Sequence, residues 1–150
     1  MKLVIQRVSS AAVRVEGEIA GEIGRGFLVL IGVVEGDTDR DAEICAAKTA
    51  ALRVFRDEND KMNLSLLDIG GECLVVSQFT LCADCRKGNR PSFSSSAAPD
   101  EAKRLYELYA SVLKDKGVAR VSRGVFAATM EVSLVNEGPV TILFDSEIWR

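Results

Sequence analysis

Apolar positions alternate loosely through KLVIQRVSSAAVRV, residues 2 to 15, and its β-branched residues predict one long strand or two short ones. Turn-forming residues in EGEIAGEIGRG, which follows, predict a hairpin around short strand material. FLVLIGVV, residues 27 to 34, is an unbroken apolar run of strand length, the pattern of a strand buried on both faces. The period then changes: Ala42, Cys45, Ala46, Thr49 and Leu52 recur at helical spacing behind Thr38 and an acidic start, predicting a helix from about Asp39 to Arg53. RDENDKMN reads as a polar turn, and ECLVVSQFTL, residues 72 to 81, as a second buried strand. CADCRKGNRPSFSSSAAP has no period and is rich in Gly, Pro and Ser, so it reads as a long loop. PDEAKRLYELYASVLKDKG opens on Pro99 and two acids, closes on Lys and Gly, and aligns Ala102, Leu105, Tyr106, Tyr109, Val112 and Leu113 on one helical face. VARVSRGVFAATMEVSLV and VTILFD supply two or three further strands. These elements predict a strongly twisted, barrel-like β-sheet with two helices packed on it, in the mixed α/β or α+β class.

The 150 residues suffice for one domain, residues 1 to 150, with a real core, and 47% hydrophobic against 27% charged residues excludes a disordered chain. No apolar run reaches the roughly 20 residues of a membrane span, and Arg7 interrupts the N-terminus before a signal-peptide core could form. No membrane partner is therefore expected, and a cytoplasmic location is. Cys45, Cys73, Cys82 and Cys85 should accordingly be free thiols. A net charge of -3 offers no general nucleic-acid surface, so such a partner would have to be gripped locally. The absence of histidine changes the picture most, because it excludes imidazole as base, proton shuttle or zinc ligand, and with it Ser-His-Asp and Cys-His hydrolysis within one chain.

Several stretches could carry chemistry. CADC, Cys82 to Cys85, has the spacing of a redox pair or a zinc half-site, but the other ligands on offer are two isolated cysteines and carboxylates, and Gly and Pro follow closely, so incidental loop cysteines are the better reading. SQFTL, Ser77 to Leu81, places two hydroxyls, an amide and free backbone N–H groups at a strand end, where Ser and Thr can equally cap their own backbone. RKGNRPSF gathers Arg86, Lys87 and Arg90, either as a solvated surface or as a grip on the end of a nucleic acid. NEGPVT, residues 136 to 141, combines a residue that cannot donate to a ladder with one that weakens it, which marks an edge, a bulge or a turn; a hairpin corner is the plain reading. Phe126 and Met130 upstream read as core by the ordinary statistics of apolar residues.

Taken together, SQFTL and NEGPVT resemble the two signature motifs of the D-aminoacyl-tRNA deacylases, SQFTL and NxGPVT, in order and separation. The resemblance extends through QRV at 6 to 8, VEGEIAGEIGRGFLVLIGV, KMN at 61 to 63, RPSF at 90 to 93 and VSLVN, and so covers essentially the whole chain. It implies an enzyme that hydrolyses the ester between a D-amino acid, or glycine, and the terminal adenosine of tRNA, without cofactor or metal. Implied partners are the acceptor end of the tRNA and a second copy of the chain, in a homodimer with active sites at the interface. The resemblance assigns catalysis to Ser77, Gln78, Phe79 and Thr80, with the N–H groups near Phe79 and Thr80 and the Gln78 side chain polarising the ester while the ribose 2'-hydroxyl assists. It assigns Gly138 and Pro139, joined by a cis bond, to a chirality filter inserted into the partner's pocket and braced by Arg7, with Phe126 and Met130 among the substrate-binding residues. Covalent attack by Thr80 is a competing mechanism. Rival identities are an animal-type paralogue editing an L-aminoacyl-tRNA, a non-catalytic β-rich dimeric binding protein, and a thiol oxidoreductase using Cys82 and Cys85.

Overall fold

The computed structural model describes residues 1–150. Lys2–Val15 forms one long strand, β1, with alternating buried and exposed positions over most of its length. Glu16 and Gly17, both at positive φ (51° and 80°), make the tight turn that the right-handed twist of a hairpin favours, and lead into β2, Glu18–Ile23. β3, Gly26–Gly32, continues along the same edge of β1, so that β2 pairs with Ala11–Val15 and β3 with Lys2–Val8. Gly26 permits the next pairing: a Cβ there would lie 1.7 Å from the Glu72 carbonyl, so only glycine lets the two backbones meet.

Helix α1, Asp39–Ala51, starts where Thr38 and Asp41 close on each other, the Asp41 carboxylate accepting from the Thr38 N–H at 2.8 Å. It stops at Ala51 rather than Arg53 because Leu52 is extended, with ψ 121°. The expected polar turn is more than a turn: β4, Phe55–Arg56, and β5, Met62–Leu64, form a small antiparallel ladder whose connection is tied by Asp57, which accepts from the N–H groups of Asn59 and Lys61. β6, Glu72–Ser77, runs parallel to β3 and is buried along most of its length. It ends at Ser77, not Leu81. Beyond Gln78, whose N–H donates to the Ile31 carbonyl at 2.7 Å, residues Phe79–Cys82 coil into a 3₁₀ turn that packs onto the bare backbone of Gly32.

α2, Pro99–Asp115, buries Leu105, Tyr106, Tyr109 and Leu113, as its spacing predicts. β7, Arg120–Arg123, pairs in parallel with β6, and β8, Glu131–Asp145, lies antiparallel along the free edge of β1. The sheet order is β2-β1-β3-β6-β7 with β8 beside β1. The Ser122 hydroxyl donates to the Glu22 carbonyl at 3.1 Å, bringing β7 back toward β2 and nearly closing a barrel. The two helices cover one face of this mixed α/β sheet around Leu3, Ile5, Phe27 and Val29, while Val8, Val13, Leu28, Leu74 and Val76 fill the other. Each such buried aliphatic side chain contributes on the order of 1.5–3 kcal/mol through removal of apolar area from water. No helix is long and apolar enough to cross a membrane.

Candidate active site

The end of β6 opens onto a cleft of about 490 Å³, between the 3₁₀ turn, the N-terminus of α2 and the segment from Phe126 to Val132. Ser77, Gln78 and Phe79 line one wall, and Phe126 and Met130 another, so residues distant in sequence meet there. Phe126 and Met130 are half-buried: each packs against the core and also faces the cleft, which reconciles the two expectations for them. Pro99 and Ala102 complete the wall from α2, a contribution that no local pattern in the sequence signals.

No ionisable side chain lines this cleft. The nearby Tyr106 hydroxyl is pushed up to about 12 by burial and donates to the Val75 carbonyl at 2.9 Å, a structural role. Thr80 is exposed at the rim, where its hydroxyl accepts from the Gln78 amide at 2.5 Å. The N–H groups of Phe79 and Thr80 stand at the start of the 3₁₀ turn, whose first donors lack an acceptor within the turn. The site therefore holds backbone donors beside a hydroxyl and an amide, in surroundings without a fixed charge.

Gly138 and Pro139 stand elsewhere. Gln6 pairs with Thr141 and Val8 with Asn136, leaving residues 137 to 140 of β8 opposite Arg7 alone. NEGPVT is thus a bulge within one continuous strand and not a corner between two, because β1 remains a partner on both sides of it. The Gly138–Pro139 bond is cis and both residues are exposed. Arg7 is buried beneath them, and its Nε donates to the Glu137 carbonyl at 2.8 Å. Within one chain, neither Gly138 nor Pro139 lines the cleft.

The long loop is also built differently from its sequence reading. Arg86 is not a free cation: it holds both carboxylate oxygens of Asp84, and this guanidinium draws the Asp84 carboxyl down to about 2. The four cysteines are free thiols. Cys82 is buried, with its Sγ donating to the Val33 carbonyl at 3.4 Å and its thiol pushed up by burial, the opposite of a reactive thiolate. No cluster of three or more histidine, cysteine, aspartate or glutamate side chains is placed to hold a metal ion.

The family model described as D-Tyr-tRNA(Tyr) deacylase matches residues 4–145. The chain belongs to that family. Its relatives include proteins named D-aminoacyl-tRNA deacylase from Koribacter versatilis, 56% identical over 98% of each chain, and from Roseiflexus castenholzii, 57% identical over 100% of this chain and 95% of the relative. A third, from Clostridioides difficile, is 57% identical over 97% of both. The solved structure of a c-Myc DNA unwinding element binding protein superposes with a TM-score of 0.91 at 39% identity, covering 97% of this chain and 98% of the other. A probable eukaryotic D-amino acid tRNA deacylase superposes with a TM-score of 0.80 at 18% identity, a likeness of fold. The protein is a D-aminoacyl-tRNA deacylase and thus a hydrolase.

Proposed function

We propose that this deacylase acts as a homodimer in which Gly138 and Pro139 of one protomer close the cleft of the other, and that Ser77, Gln78, Phe79 and Thr80 bind and polarise the ester of a D-aminoacyl-tRNA. The observation that carries this reading is the separation within one chain: a cleft at the end of β6, and a braced, exposed backbone bulge that does not line it. β8 supports the second copy. It spans Glu131–Asp145, pairs with β1 alone, and exposes Val135 (57%) and Leu143 (73%), an edge and an apolar surface that a lone protomer would leave open.

Hydrolysis follows from the groups present. The N–H groups of Phe79 and Thr80, with the Gln78 amide, stabilise negative charge as it develops on the ester carbonyl oxygen. A water attacks the carbonyl carbon, assisted by the neighbouring 2'-hydroxyl of the terminal ribose, and the C–O bond to the ribose breaks. Free D-amino acid and tRNA leave, the leaving oxygen taking up a proton. An activated ester needs orientation and charge stabilisation more than a strong base. The Gly138 and Pro139 carbonyls would hold the α-amino group, and their backbone would leave no room for an L side chain. Such exclusion is indifferent to which D side chain extends outward. Glycine has nothing to exclude, so glycyl-tRNA is also a substrate, and a cytoplasmic location follows from the need to meet charged tRNA. The superposed protein named for binding a DNA element gives no reason to assign DNA binding here, given the net charge of -3.

The test offers D-tyrosyl-, L-tyrosyl- and glycyl-tRNA to the pure protein and follows the ester. Cleavage of the D and glycyl forms with the L form spared is expected; equal cleavage of D and L would sink the chirality filter.

A further inference from the structure

Four residues of β8 face a single residue of β1 at the bulge, so the backbone there loses its ladder partners and something else must hold it. Arg7 accounts for one carbonyl, that of Glu137. The side chain of Asn136 accounts for the other end. Its Oδ1 accepts from the Val140 N–H at 2.8 Å, while its Nδ2 donates to the Val140 carbonyl at 3.2 Å and to the Thr141 hydroxyl at 3.3 Å. The same hydroxyl accepts from the Gln6 amide at 3.4 Å, tying the clamp back to β1. One side-chain amide thus presents an acceptor and a donor to one backbone unit, in the manner of a neighbouring strand, and closes the protrusion at its base. Only an amide supplies both groups: a carboxylate keeps the acceptor and loses the donor, and alanine loses both.

We infer that Asn136 is a positioning residue for stereoselectivity, holding the stem from which Gly138 and Pro139 project, with Arg7 fixing the opposite side. It touches no part of the substrate cleft within its own chain. Its effect on selectivity rests on the proposed role of Gly138 and Pro139; its effect on the backbone does not. A stereochemical filter built on steric exclusion needs its backbone held to a fraction of an ångström, and a loosened stem admits the excluded enantiomer before it abolishes the chemistry.

The test compares the wild-type chain with Asn136→Ala and Asn136→Asp in two measurements. Amide hydrogen exchange at Val140 is expected to speed about tenfold in Asn136→Ala, the factor given by loss of a net hydrogen bond or two, with Val29 in the core unchanged as a control for global stability; Asn136→Asp, which keeps the acceptor, should stay close to wild type at that amide. The ratio of D-tyrosyl- to L-tyrosyl-tRNA hydrolysis is expected to fall about tenfold in Asn136→Ala, chiefly through faster cleavage of the L form, and less in Asn136→Asp. Unchanged exchange at Val140 would overturn the clamp. Faster exchange with an unaltered ratio would overturn the selectivity role. If the wild type shows no D preference, the chirality-filter reading fails with the selectivity role, and the exchange comparison still decides the clamp.

Discussion

The side-chain amide of Gln78 donates to the hydroxyl of Thr80 at 2.5 Å, so the group nearest that hydroxyl is an amide, which in either orientation is no base. No ionisable side chain lines the cleft or hydrogen-bonds to the Thr80 hydroxyl, so no base is placed to make it an alkoxide. Thr80→Ala should therefore keep activity within about fivefold of wild type, the equivalent of about 1 kcal/mol for one hydrogen bond. Single-turnover hydrolysis of D-tyrosyl-tRNA measures this. A collapse on the order of 10⁶, as follows loss of a covalent nucleophile, would restore the covalent mechanism.

Acid should weaken the fold at the start of α1. Burial pushes the Asp41 carboxyl up, but the Arg150 guanidinium, at 3.0 Å, and the Thr38 N–H and hydroxyl outweigh it and hold the group well below the usual carboxylate range. A native pKa below the unfolded one means that the unfolded chain binds more protons, so stability is present above the ordinary value of 3.8 and is lost as the pH falls toward the native value. Urea midpoints should drop between about pH 4 and pH 2, and Asp41→Asn should lower the midpoint at pH 7 while flattening that acid limb. An Asp41→Asn protein with the wild-type slope would assign the acid limb to other carboxylates.

Charge on the outer surface of β8 should separate the protomers of the proposed homodimer. Leu143→Asp and Val135→Lys put charges where an interface between copies would have to exclude water, at a cost of a few kcal/mol each. Sedimentation should show monomers that retain their far-ultraviolet dichroism and have lost activity. Full activity in a monomeric variant would refute the cross-subunit site.

Lys87 and Arg90 are the exposed cations left in the long loop once Arg86 is committed to Asp84. Lys87→Glu with Arg90→Glu should raise the KM for the charged tRNA and reduce the dependence of log affinity on log salt by about 2, one for each lost phosphate contact. Melting temperature should be unaffected. Arg86→Glu alone should change tRNA affinity less than either, since that guanidinium is already neutralised. An unchanged salt slope in the double variant would move the tRNA contact elsewhere.

What the sequence by itself determined was whatever side-chain period and chemistry encode locally. The apolar runs of β3 and β6 announced strands covered on both sides, the stripe from Ala102 to Leu113 announced α2, and the lack of histidine removed imidazole catalysis before any geometry was known. SQFTL and NxGPVT carried the family resemblance, yet neither motif revealed its own shape. SQFTL leaves its strand at Ser77 because the bare backbone of Gly32 lets the chain coil onto β3. NEGPVT is a bulge and not a corner because β1 resumes its pairing beyond Val8, and because Arg7, 130 residues away in sequence, meets the Glu137 carbonyl. Likewise the pattern of residues read Phe126 and Met130 only as core, the family resemblance alone set them among the substrate-binding residues, and it is the packed molecule that brings them to the cleft beside Ser77. Periodicity is a property of neighbours along the chain, whereas strand register, bulges and clefts depend on contacts between distant segments, which only the packed molecule fixes.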